Sequence, residues 1–284
     1  LAEATAARDH QANERLMCYL EGRGVLDRKV EGLPETSEMT ERAQNKAWLT
    51  RPELAVLMAW SKITLFDDIV SSDVPDDAYF WQTLQSYFPD DLHGFDEAME
   101  AHRLRREIIA TVLANRLIDA GGPLMLLRLR ERTGATNAMI CRAFETAASL
   151  LELPAYRFDV HGLDNKVHAR VQTELLQIAA DAVADTAAAL IRNAPDMPVG
   201  QAIDRYASIF GKIDHDLESS LEGFEAQQFR KRVTALANAG IEKPLAMRAA
   251  SMPLRPVGVE LQMLIEGAGT SPAAALSAYM KLGD

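Results

Sequence analysis

Along this chain apolar residues recur at intervals of three and four and seldom of two, the spacing of helix faces rather than strands. Near the start Leu16, Tyr19 and Leu20 share a face, and Gly22 and Gly24 stop that helix. Residues 31–39, with Gly32, Pro34 and Ser37, read as a loop. Thr50-Arg51-Pro52-Glu53 is a helix start: a Thr cap, a capping-box Glu three residues on, and a proline in the first turn, where its missing N–H costs nothing. Leu54, Leu57, Met58, Ser61 and Leu65 then form one stripe, and Pro75 and Asp76 open a short helix that Pro89 closes. The stretch from Leu104 to Ile118 is apolar nearly all round, which belongs at the centre of a bundle. Gly121-Gly122-Pro123 turns the chain, another helix runs to Gly134, and Thr136 or Asn137 caps the next, which ends before Pro154.

The second half continues in the same manner. A long helical stretch extends from Leu163 to about Arg192 with Val171, Leu175, Ile178, Ala182 and Leu190 inward, and its many alanines favour helix and close approach of neighbours. Later helices fit 199–213, 215–238, 244–251, 257–266 and 271–282, with Gly240 and Gly269 as stops. Tyr156 to His161 alternates like a strand, yet Tyr156, Val160 and Leu163 also fit a helical face. With no partner strand in view, the segment reads as helix or loop.

The fold this predicts is all-α, a multi-helix bundle. A segment around Gly134 and Thr136 aligns with one around Gly269 and Ser271 at a constant offset of 135 residues, helix, glycine stop, hydroxyl cap, helix. If that is a repeat, the chain is two related helical halves, 1–152 and 153–284, meeting near Pro154. The same chemistry recurs in any helical hairpin, so chance similarity explains it equally well.

Charge alters the picture more than composition does. The chain has 284 residues, 25% of them charged and 48% hydrophobic, with a net charge of -11. Ten acidic residues and no Lys or Arg lie in the block 67–100; seven arginines against three acids lie in the block 103–132. Without a broad basic face, nucleic acid and anionic membranes are poor partners, and no apolar run approaches the ~18 residues that span a bilayer. Both blocks fit solvated helix surface. A sharper expectation makes Asp67, Asp68 and Asp73, with Arg103, Arg105 and Arg106, a contact between the blocks or with another domain or subunit. Two cysteines, Cys18 and Cys141, are too few for a disulfide framework; both fall in helical apolar patterns and read as buried thiols in a reducing compartment. The first residue is Leu1, not Met, which implies a piece of a longer chain.

Catalytic and cofactor motifs are scarce. There is no glycine-rich phosphate loop after a strand, no C-x-x-C, no H-E-x-x-H and no G-x-S-x-G. His161, Asp164 and His168 could share a helix face, but three ligands from one helix rarely encircle an ion, so no metal site is assigned. Asp67-Asp68-Ile69-Val70-Ser71-Ser72-Asp73 resembles the Asp-rich magnesium motif of all-helical prenyl diphosphate synthases, a third-ranked reading because the second such motif is missing. A free-standing helical adaptor for protein partners is the alternative from another class.

Longer words carry more information. Leu49 to Lys62, then Asp73-Val74-Pro75-Asp76-Asp77, Tyr87-Phe88-Pro89, Ala101 to Thr111, Ala114-Asn115 and Gly121-Gly122-Pro123 occur in order. The chain closes on Gly269 and then Ala278-Tyr279-Met280-Lys281-Leu282-Gly283. Together they resemble the C-terminal helical region of the large bacterial NAD-specific glutamate dehydrogenases, most densely over 49–134. That resemblance implies a parent enzyme that oxidatively deaminates L-glutamate to 2-oxoglutarate and ammonia with NAD, in the cytoplasm, as a multidomain homo-oligomer. It implies a structural, oligomerisation or regulatory role for this region, packed on an upstream catalytic domain. The family's catalytic and dinucleotide-binding residues lie upstream, so no catalytic, cofactor or metal residue is assigned here.

Overall fold

The computed structural model describes residues 6–221 and 223–281, and they are helical with no strand among them. The chain divides into two compact units, Leu1–Arg142 and Ala143–Asp284. The division falls inside a helix, upstream of the Pro154 turn.

In the first unit the helices are α1 (His10–Gly22), α2 (Arg28–Glu31), α3 (Thr36–Gln44), α4 (Arg51–Val70), α5 (Trp81–Gln85), α6 (Asp96–Glu100), α7 (Arg105–Gly121) and α8 (Pro123–Thr133). The start of α9 (Asn137–Leu150) completes it. The predicted capping box at α4 is formed. Glu53 N–H donates to Thr50 Oγ1 at 3.4 Å, and Thr50 N–H donates to Glu53 Oε2 at 2.7 Å. Helix α4 buries Leu54, Leu57, Ser61, Thr64, Leu65 and Ile69 and packs along α7. In α7 Ile108, Ile109, Leu113, Leu117 and Ile118 are buried, with Thr111, Arg116 and Asp119 on one exposed edge. A second apolar cluster joins α1, α3, α4 and α8 through Leu16, Met17, Leu20, Met39, Leu57 and Leu127. Gly134, at φ +70, ends α8 in the left-handed conformation that glycine adopts without strain.

The second unit holds the rest of α9, then α10 (Leu153–His161), α11 (Ala169–Asn193), α12 (Val199–Ser220), α13 (Gly223–Asn238), α14 (Lys243–Ser251), α15 (Gly258–Ala268) and α16 (Pro272–Lys281). Its core is built on α11, whose buried Ala179, Ala180, Ala182, Ala187, Ala188 and Ala189 admit the 3-10 segment Met252–Val257 and α15 at close range. Tyr156 is fully buried and donates its hydroxyl to the Leu175 carbonyl at 3.1 Å, tying α10 to α11. Burial pushes its phenol pKa up.

Several boundaries differ from the expectation. The loop expected over 31–39 ends at 35: residues 36–39 already belong to α3, whose Met39 reaches the core. The segment 156–161 is helix, one of the two readings its pattern allowed. Helix α11 starts at Ala169, not Leu163, because turns occupy 163–167 and His168 Nδ1 caps it by accepting from Arg170 N–H at 3.1 Å. The break expected at residue 214 lies after Ser220, since Ile213 and Leu217 extend the buried stripe of α12 by two turns. The short helix expected from Pro75 is two 3-10 turns and then α5. Cys141 is buried as expected, but Cys18 is exposed; it occupies the α1 flank where Arg28 donates to its sulfur at 3.3 Å.

Candidate functional site

The site with most charge is the junction where α4 ends, α7 begins and α9 begins, all in the first unit. Helix α4 runs out at Val70 with its last carbonyls facing an unpaired end. The Arg106 guanidinium closes that end: it donates to the Val70 carbonyl at 3.0 Å and to the Ser72 carbonyl, and it pairs with Asp76. A cation against a helix C-terminus is favoured by both the carbonyl lone pairs and the helix dipole. Arg105, one residue earlier on α7, reaches the same carboxylate at 2.9 Å.

Two further ties surround it. Arg23, at the end of α1, grips both oxygens of Asp68 at 2.7 and 2.8 Å, and Asn137 Nδ2 donates to Asp68 Oδ2 at 2.6 Å. This bidentate geometry raises the Arg23 pKa. Arg142 on α9 pairs with Asp73 at 2.5 Å, and its hydrogen bond holds the Asp73 carboxyl below the usual range. Arg130 donates to Asn137 Oδ1 at 3.1 Å and lies over the Tyr19 ring.

Of the six residues singled out from the sequence, Asp68, Asp73, Arg105 and Arg106 thus take part in ion pairs within the first unit. Asp67 and Arg103 are exposed and have no ion-pair partner among the described residues. The three aspartates do not converge, and two of them already hold an arginine. Among the described residues no group of three His, Cys, Asp or Glu side chains is placed to hold a metal. His161 ends α10, Asp164 accepts from Gln172 Nε2 at 2.8 Å, and His168 caps α11, so that trio lies on separate segments. Sequence reasoning missed the partners Arg23 and Arg142. Each lies far along the chain from its aspartate, and no local spacing signals such a pair.

The second unit has its own tie. Arg248 on α14 donates to the Glu152 carbonyl at 3.0 Å and to its carboxylate at 3.1 Å, reaches Asp159 at 3.3 Å and covers the Tyr156 ring. Glu152 itself sits at φ +50, a left-handed conformation at the α9–α10 turn that this clasp steadies. No single helix among the described residues is long and apolar enough to cross a membrane.

Comparison with known proteins places this architecture. The family model described as "Glutamate dehydrogenase, C-terminal" matches residues 46–284. The NAD-specific glutamate dehydrogenase of Halomonas elongata is 33% identical over 252 residues, which is 88% of this chain and 16% of that protein. That of Pseudomonas aeruginosa is 32% identical over 255 residues, again 88% of this chain and 16% of the relative. That of Mycobacterium tuberculosis is 28% identical over 240 residues, 82% of this chain and 14% of the relative. The chain therefore spans about a sixth of the length of these relatives.

Proposed function

The chain belongs to the glutamate dehydrogenase C-terminal family, and we propose that it serves a larger NAD-dependent glutamate dehydrogenase as a non-catalytic helical region that supports assembly or regulates the catalytic part. In this reading the parent oxidises L-glutamate to 2-oxoglutarate and ammonia, acts in the cytoplasm as a homo-oligomer, and binds NAD upstream of this region. The observation that carries the reading is the share. This sequence aligns over most of its own length with only a sixth of proteins named for NAD and glutamate. The helical character of the described residues agrees with it, since a dinucleotide fold of the Rossmann kind is built on a parallel sheet.

The test assays glutamate-dependent NAD reduction by this 284-residue chain and by the full-length polypeptide that carries it. Turnover by the full-length protein alone is expected. Turnover by the 284-residue chain overturns the proposal.

A further inference from the structure

The acidic block divides in two when its partners are traced. Asp68, Asp73 and Asp76 are neutralised by Arg23, Arg142, Arg105 and Arg106. Beyond them the pattern stops. Asp90 lies 3.8 Å from the His93 ring, and Asp96 accepts from Gln85 Nε2 at 3.3 Å. Neither these two nor Asp91, Glu97 and Glu100 have a lysine or arginine partner among the described residues, and all five are exposed. The same short segment exposes apolar side chains: Tyr87 at 58%, Leu92 at 43%, Phe95 at 64% and Leu104 at 45%.

The segment that carries these side chains is knitted to itself. His93 Nε2 bonds the carbonyls of Gln85 and Phe88 at 3.0 and 3.2 Å, which draws the turn at 92–95 beside 85–88. The Phe88 ring meets His102 edge-on at 5.6 Å between centroids and Tyr87 at 5.6 Å, which draws 102–104 to the same place. Met99 anchors the far side in the core. Exposed aromatic groups held rigidly and rimmed by uncompensated charge mark an interaction surface rather than solvated helix.

We propose that residues 87–104 form a docking surface for a basic, apolar-recessed face on the remainder of the polypeptide of which this region makes up about a sixth in its relatives, a proposal that rests on the functional reading above. Charge selects this occupant. Pairing the surface with its own copy across a two-fold axis sets five carboxylates and one arginine, Arg103, against the same set, which leaves a net repulsion. Lysine and arginine around a hydrophobic recess complement both features at once. The chain outside this region is the nearest source at high effective concentration.

The test places the photo-cross-linker p-benzoylphenylalanine at residue 95 in the full-length polypeptide. Its exposure lets Phe95→Ser serve as the control, with the melting temperature of the 284-residue chain expected to stay put. The expected cross-link joins residue 95 to a peptide outside the 284 residues. Its yield should fall roughly threefold or more when Asp91→Lys, Glu97→Lys and Glu100→Lys are combined, since attraction becomes repulsion. A cross-link to a second copy of this region, no protein cross-link, or a yield indifferent to charge reversal overturns the proposal. The same samples are assayed for glutamate-dependent NAD reduction. Failure to cross-link in an active polypeptide removes the docking surface alone. The expected cross-link in an inactive polypeptide supports the surface and removes the functional reading.

Discussion

Gly258 begins α15 where the helix crosses α12 so closely that a Cβ there would lie 2.8 Å from Phe210 Cε2 and 3.1 Å from Ile213 Cδ1. Phe210 and Ile213 are buried and cannot swing away, so Gly258→Ala should cost about 1–3 kcal/mol by overpacking, read as a lower denaturation midpoint. On the rim of the same pair of helices Arg205 grips Glu266, and with Gln262 donating as well the Glu266 carboxyl is pulled down from 4.5 to about 2. A carboxylate with a depressed folded pKa adds stability that is fully present above its unfolded value and fades as pH falls toward the folded one. The advantage of wild type over Glu266→Gln should therefore hold near neutrality and shrink between pH 4.5 and about 2. The pair is exposed, so the gap stays below about 1 kcal/mol. Melting curves that run parallel across that window would contradict the assignment. At Cys18 the accessible sulfur should react with a thiol reagent in the native state, while Cys141 waits for unfolding.

Among elements, α4 and α7 carry the largest share of the first unit, and two kinds of force act between them. Leu113 is fully buried in α7, and Leu113→Ala should cost about 2–5 kcal/mol through lost burial and the cavity left behind. Arg106 closes the end of α4 through charged hydrogen bonds, but its side chain is 37% exposed. Arg106→Met should cost only about 1 kcal/mol. Urea titrations of the two variants check that packing outweighs the ionic junction; a larger loss from Arg106→Met would reverse that order. The element pattern was largely readable beforehand because caps, glycine stops and apolar stripes are local. The Thr50–Glu53 box, Thr136 accepting from Met139 N–H and Ser271 from Ala274 N–H are all near-neighbour contacts. Errors came where packing extended or shortened a helix, as at Ile213–Leu217 in α12 and at the His168 cap of α11.

For the molecule as a whole, the arginines divide by partner. Arg103 is exposed and has no ion-pair partner among the described residues, whereas Arg105 and Arg106 are engaged with Asp76. Arg103→Glu should leave the melting temperature of this chain unchanged, and Arg105→Glu with Arg106→Glu should lower it; light scattering of the full-length protein then shows whether the single or the double change alters its oligomer size. A fall in melting temperature from Arg103→Glu would show a contact the fold does not contain. Helical class, the buried character of α7 and kinship with the glutamate dehydrogenase C-terminal family followed from the amino-acid order alone, because periodicity, capping and long ordered words are properties of contiguous residues. Which carboxylates are neutralised did not. Arg23 and Asp68 are 45 residues apart, and Arg142 meets Asp73 only once α4, α7 and α9 have converged. Charge pairing across such separations depends on where packing sets each helix end, and so tertiary structure decided which carboxylates of the acidic block are tied internally and which face outward.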